Sequence, residues 1–149
     1  MKNFSFVITK SAVFQEVALN TAYTGAKADS DKPIFSRVST IDADDELLSR
    51  LWRNATGELI EKLREFIDSS QVSETGLTIN MKLSNAYDES LSPVVEADVF
   101  AFFVAAVTAE WMAFALPSLA DDWRTKAAEL LNRILANICY RKKPSRSLL

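Results

Sequence analysis

Ser92-Pro93-Val94-Val95-Glu96-Ala97-Asp98-Val99-Phe100-Ala101-Phe102-Phe103-Val104-Ala105-Ala106-Val107, running on to about Leu116, is the stretch on which the fold turns. Ser92 can cap a helix, and Pro93 suits the first helical position, where its missing N–H costs nothing and its φ is already helical. The residues that follow are apolar on nearly every side, so the helix must be covered around most of its circumference. Residues 99–120 are long enough to cross a bilayer. Glu110 near the middle, Pro117 and the many weakly hydrophobic alanines argue against insertion, and the stretch reads as a central core helix that also reaches a subunit interface, with no membrane partner.

Its cover must come from the flanking segments. On the N-terminal side a helix is predicted over 42–68, with Thr40 or Asp42 as cap and Asp44, Asp45 and Glu46 in the first turn, where the positive end of the dipole favours them. Leu47, Leu48, Leu51, Trp52, Ala55, Leu59, Leu63, Phe66 and Ile67 form one apolar stripe along it, and Gly57 interrupts it. On the C-terminal side Pro117 ends the central helix and Ser118 begins the next, predicted over 119–141. Trp123, Ala127, Leu130, Leu131, Ile134, Leu135 and Ile138 make its buried face, and Cys139 reads as one more small buried residue. Arg141, Lys142 and Lys143 follow at the negative end of its dipole, before Pro144 and a mobile tail at 144–149. A further helix over 11–26 carries Val13, Val17 and Ala18 on one face.

Gly76-Leu77-Thr78-Ile79-Asn80-Met81-Lys82-Leu83-Ser84 alternates apolar with polar residues, the pattern of a strand buried on one face. A lone strand leaves its backbone groups unsatisfied, so this one must pair either with the extended arm at 1–10, where Phe4, Phe6 and Ile8 alternate, or with another subunit. The expected fold class is therefore mainly α: a four-helix, orthogonal or bundle-like single domain over residues 1–149 with a short strand or β-hairpin element.

The residues exclude much chemistry. Histidine is absent, there is one cysteine, and three scattered glycines build no phosphate-cradling loop. No activated nucleophile, zinc ligand set or disulfide follows, so no catalytic, metal or cofactor site is assigned. The carboxylate pairs Asp44-Asp45, Asp88-Glu89 and Asp121-Asp122 are not read as acid–base or Mg²⁺ and Ca²⁺ groups, since adjacent residues on a helix point in different directions and two of the pairs sit at helix starts, where capping explains them. Charge is unevenly distributed: residues 1–123 hold 10 basic and 19 acidic side chains, whereas residues 124–149 hold 7 basic and 1 acidic. Such a split fits head-to-tail contact between copies, and it leaves room for weak contact with nucleic-acid backbone. It also fits a basic helix end facing its own dipole. The candidate interface residues are Asp42, Asp44 and Asp45 on one side and Arg141, Lys142 and Lys143 on the other.

Two segments carry a family resemblance. Thr40-Ile41-Asp42-Ala43-Asp44-Asp45-Glu46-Leu47-Leu48, leading into an amphipathic helix, resembles the opening of the small head–tail connector (adaptor) proteins of tailed phages and prophages. The stretch Pro93 to Val104, with Trp111 and a further helix behind it, resembles that family's second block. Thr21-Ala22-Tyr23-Thr24-Gly25-Ala26-Lys27 and Tyr140-Arg141-Lys142-Lys143-Pro144 are similar to the broader group of prophage tail-module structural proteins. The resemblance implies a helical bundle with a β element that assembles as a homo-oligomeric ring between portal and tail. Neighbouring phage structural proteins would be its partners, and its location the host cytoplasm and then the virion. No family active site comes with it. The alternative reading is a small cytoplasmic binding or regulatory module, whose apolar pocket would be lined by Phe102, Phe103, Trp111 and Phe114.

Overall fold

The computed structural model describes residues 1–27, 40 and 44–141, leaving aside the side chains of 25–27. Strand β1 (Lys2–Thr9) leads directly into helix α1 (Lys10–Lys27). Helix α2 (Asp45–Leu63), strands β2 (Ile67–Val72) and β3 (Gly76–Leu83), and a 3₁₀ turn (Glu89–Leu91) follow. Helices α3 (Ser92–Ala115) and α4 (Pro117–Cys139) complete the chain. The fold is mainly α, with four helices and one small sheet among the described residues.

Helix α3 occupies the centre. Thirteen of its residues are buried, from Val95 to Met112, and α1, α2 and α4 all pack against it. Its length and composition would allow a membrane span; here the stretch from Phe102 to Ala109 is buried against other elements of the same chain, while Val94 and Phe114 stay exposed. Trp52 of α2 stacks on Phe103 of α3 with ring centroids 4.4 Å apart, and Phe102 meets Phe103 edge-on. The sequence assigned Leu51, Trp52, Leu63, Phe103, Val107, Leu131 and Ile134 to the core, and all are buried.

The break between α3 and α4 has a local cause. A proline disfavours helical geometry in the residue before it, and Leu116 is extended at φ −151° and ψ 79°. Pro117 then opens α4 rather than merely closing α3, so Ser118 lies inside the first turn and no side chain caps the helix. Cys139 is exposed at the end of α4, not buried as its apolar neighbours suggested, because Ile134 and Ile138 take the core-facing positions.

The sheet has the order β1-β3-β2, antiparallel throughout. The arm at the N-terminus is the partner that β3 required: Phe4 stands opposite Met81, Phe6 opposite Ile79 and Ile8 opposite Leu77. Pairing is satisfied within the chain, and Leu77, Ile79, Met81 and Leu83 all face the core. Gly76 is required by this close approach, since a Cβ there would land on the Ile8 carbonyl.

Helix α2 ends at Leu63, five residues before the position its stripe suggested. Phe66 and Ile67 keep the helical spacing, but the Phe66 carbonyl accepts from the Lys82 N–H and the following residues pair with β3. The free edge of β3 outcompetes a helix extension made of Ile, Asp and two Ser, all modest helix formers. Gly57 meets nothing that a Cβ would disturb, so no close backbone approach explains it among the described residues. Thr21 is fully buried on α1; its hydroxyl donates to the Val17 carbonyl at 2.8 Å and accepts the Thr40 N–H at 3.2 Å.

Candidate functional site

Strand β1 is the axis along which the candidate charges are placed. At its start, the Lys2 ammonium donates to the Tyr87 carbonyl at 2.9 Å and lies 3.9 Å from Glu89. Tyr87 also forms an isolated antiparallel bridge with Arg141, so the residue after α4 is drawn to this same end. At the other end of β1, Thr9 borders a cleft of about 400 Å³ that Asp45 and Glu74 also line. The seven steps from Lys2 to Thr9, at roughly 3.4 Å each, put these two ends about 24 Å apart. Arg141 and Asp45 are thus at opposite ends of the sheet, and both are exposed.

Asp44 is half-buried just before α2 and engages a neighbour. Asp42, Lys142 and Lys143 lie outside the described residues. Among the described candidates, the structure therefore separates Asp45 from Arg141 within one copy. Each end also carries charge of the other sign: Glu89 beside Lys2, and Lys10 and Arg53 along the clefts by Glu74.

The other carboxylate pairs have local work to do. Asp88 accepts from the Ser90 N–H at 3.1 Å and from its hydroxyl at 2.7 Å, capping the 3₁₀ turn. Asp121 pairs with Arg124 at 3.1 Å on the outside of α4. Among the described residues no three Cys, Asp or Glu side chains form a group able to hold a metal ion.

Asp98 was not singled out by the sequence, yet it is the one buried carboxylate among the described residues. Arg133 of α4 grips it with both arms: Nε donates to Oδ2 at 2.7 Å, and a terminal nitrogen donates to Oδ1. The hydrogen bond first, and then the carboxylate's charge, hold the Arg133 guanidinium above its ordinary pKa. This bidentate pair ties α3 to α4 and fixes their register. An i to i+35 spacing offered no signal in the sequence.

Of the aromatics proposed for an apolar pocket, Phe102 and Phe103 are fully buried and Trp111 nearly so, whereas Phe114 is 70% exposed. They do not line a common cavity; they belong to core and surface. A different cleft of about 400 Å³ lies between α2, α3 and α4, floored by Ala55, Ala106, Ala109 and Ala127 and rimmed by Asn54, Glu58, Glu110 and Arg124.

Comparison of the chain with family models, with curated proteins and with solved structures returns no match in any of the three.

Proposed function

We propose that this chain is a structural subunit acting by assembly with copies of itself rather than by catalysis, in the manner of the head–tail connector proteins its sequence resembles. The observation that carries this reading is the placement of exposed charge. Arg141 and Lys2 stand at one end of the sheet, and Asp45 and Glu74 at the other, about 24 Å away at strand rise. The sequence adds Lys142 and Lys143 directly after the first group and Asp42 just before the second. A subunit with unlike ends presents a heterologous contact, and heterologous contacts close into rings when the rotation permits. Neighbouring virion proteins would then meet the faces of that ring.

Exposed ion pairs contribute at most about 1 kcal/mol each and are screened by salt, so charge sets orientation and encounter rate while apolar surface supplies most of the affinity. Exposed Leu19 and Phe114 are available for that role. Sedimentation of the wild type and of a variant with Arg141, Lys142 and Lys143 all changed to Glu tests this reading. The wild type should form a defined multimer, and the variant should assemble less at low salt with a smaller difference at high salt. Normal assembly of the variant at low ionic strength would remove the basis of the proposal.

A second reading, a small-molecule binding module, draws on the alanine-floored cleft between α2, α3 and α4. A stable monomer whose melting temperature rises with a cationic amphiphile would favour it, through the Glu58 and Glu110 carboxylates at the rim.

A further inference from the structure

The two outer edges of the sheet are not equivalent. In an antiparallel pair, alternate residues turn both backbone groups toward the partner strand and the residues between them turn both away. The Lys10 N–H donates to the Thr75 carbonyl at 2.9 Å, continuing the β1–β3 register by one step. Residues of the same parity, Lys2, Phe4, Phe6 and Ile8, therefore point their N–H and C=O groups at β3. Asn3, Ser5, Val7 and Thr9 point theirs outward, and all four are exposed. Thr9 immediately precedes α1, so its carbonyl is taken by the first turn of that helix. The outward groups of Asn3, Ser5 and Val7 and the Thr9 N–H have no backbone partner among the described residues.

The β2 edge is blunted. Its register shifts between Ile67 and Ser69, and the bulge puts Asp68 there, paired with Lys82 at 3.2 Å. Only Ser70 and Val72 remain to offer outward groups. The β1 edge has no bulge, no proline and a single charge, at Lys2. Natural sheets normally protect such an edge.

We infer that the β1 edge pairs with the β1 edge of a second copy, antiparallel about a two-fold axis, to make one six-stranded sheet. Three features favour a second copy as occupant. The two-fold keeps each face of the sheet continuous only when residues of like parity stand opposite each other. With the axis at Phe6, Ser5 then pairs with Val7 of the other copy through both backbone groups, and Asn3 meets Thr9, whose N–H alone is free to join the ladder. On the core face Phe6 and Ile8 are already buried within their own copy, so half-buried Phe4 is the apolar side chain that the pairing covers. Antiparallel pairing also lays the Lys2 and Arg141 end of one copy beside the Asp45 and Glu74 end of the other, so unlike charges adjoin at both ends. Lys2 and Lys10 come near across the axis, but Lys2 is held by the Tyr87 carbonyl and Lys10 lies over the Phe14 ring.

This inference rests on the assembly reading for its charge argument; it adds the β1 edge to the same charged ends and closes at two copies. A strand edge buries less than a standard interface, so the pair should be reversible and concentration-dependent. Val7→Pro tests it, because the Val7 N–H points outward: proline removes an edge donor and leaves the β1–β3 ladder intact. Analytical ultracentrifugation of the full chain should show a monomer–dimer step in the wild type, with a dissociation constant at least roughly tenfold weaker in the variant. Unchanged association in a folded Val7→Pro overturns the edge pairing. If the triple charge reversal still weakens assembly in that case, the assembly reading survives without it. Should Val7→Pro fail to fold, hydrogen exchange on the wild type decides instead. The amides of Asn3, Ser5, Val7 and Thr9 should gain protection as concentration rises, and fast exchange of all four at every concentration overturns the inference.

Discussion

Helix α3 is buried through the whole of its middle, whereas the strands of the sheet are covered on one face only. Every residue from Phe102 to Ala109 is buried, while in β1 burial is confined to Phe6 and Ile8, with Ser5, Val7 and Thr9 exposed around them. The other sheet face is polar: Asn80 accepts from the Ser5 hydroxyl at 2.5 Å and donates to the Ser69 hydroxyl at 2.9 Å, a ladder across all three strands. The helical layer thus concentrates burial energy, and the sheet keeps a face and an edge open.

Substitutions can break this contrast. The largest loss should follow Phe103→Ala in the middle of the helical layer, where both the transfer term and the cavity beside Trp52 contribute about 3–5 kcal/mol, read from denaturant unfolding. A loss below about 1 kcal/mol would mean that α3 is not the centre of the stability. On the sheet side, Gly76→Ala forces a methyl onto the Ile8 carbonyl and should destabilise by about 1–3 kcal/mol through local separation of β1 from β3. Its signature is faster amide exchange in β1 with α3 and α4 unchanged. If the whole molecule loosened equally, the sheet and the helical layer would form one cooperative unit.

Smaller effects sharpen the comparison at the surface. Gly57→Ala meets open space in the middle of α2 and should raise stability by roughly 0.5–1 kcal/mol through helix propensity alone. If stability held and self-association fell instead, Gly57 would be admitting a neighbouring copy. Asn80→Ala removes two exposed hydrogen bonds and should change stability by only about 0.5 kcal/mol, visible as a small shift in unfolding midpoint.

Much of the helical layer is legible in the sequence because its signals are local. Pro93 at a helix start, the stripe from Leu48 to Leu63 and the face from Ala127 to Ile138 each report burial through spacing, and the structure buries those positions. The alternation at 77–83 identified β3 and its core face in the same way. β2 escaped because Phe66 and Ile67 satisfy a helical period as well as a strand position, and the demand of β3 for a second partner decided between them. Of the candidate charges, Asp45 and Arg141 were found by composition, but their separation to opposite ends depends on β1 running the length of the sheet. Asp98 and Arg133 gave no sign, since a contact between two helices joined by a turn depends on their crossing and not on any short-range pattern.

By itself, the sequence determined that four segments are helical, that 77–83 is a strand with one buried face, and that the apolar helix at 92–115 must be surrounded. Each follows from residues that sense burial through a period of 3.6 or 2. Only the tertiary structure decided which strands are neighbours, which backbone groups of β1 face outward, and where the charged ends lie. Those depend on register, and register is set by contacts between residues far apart in the chain, such as Phe6 with Ile79, whose pairing no local pattern encodes.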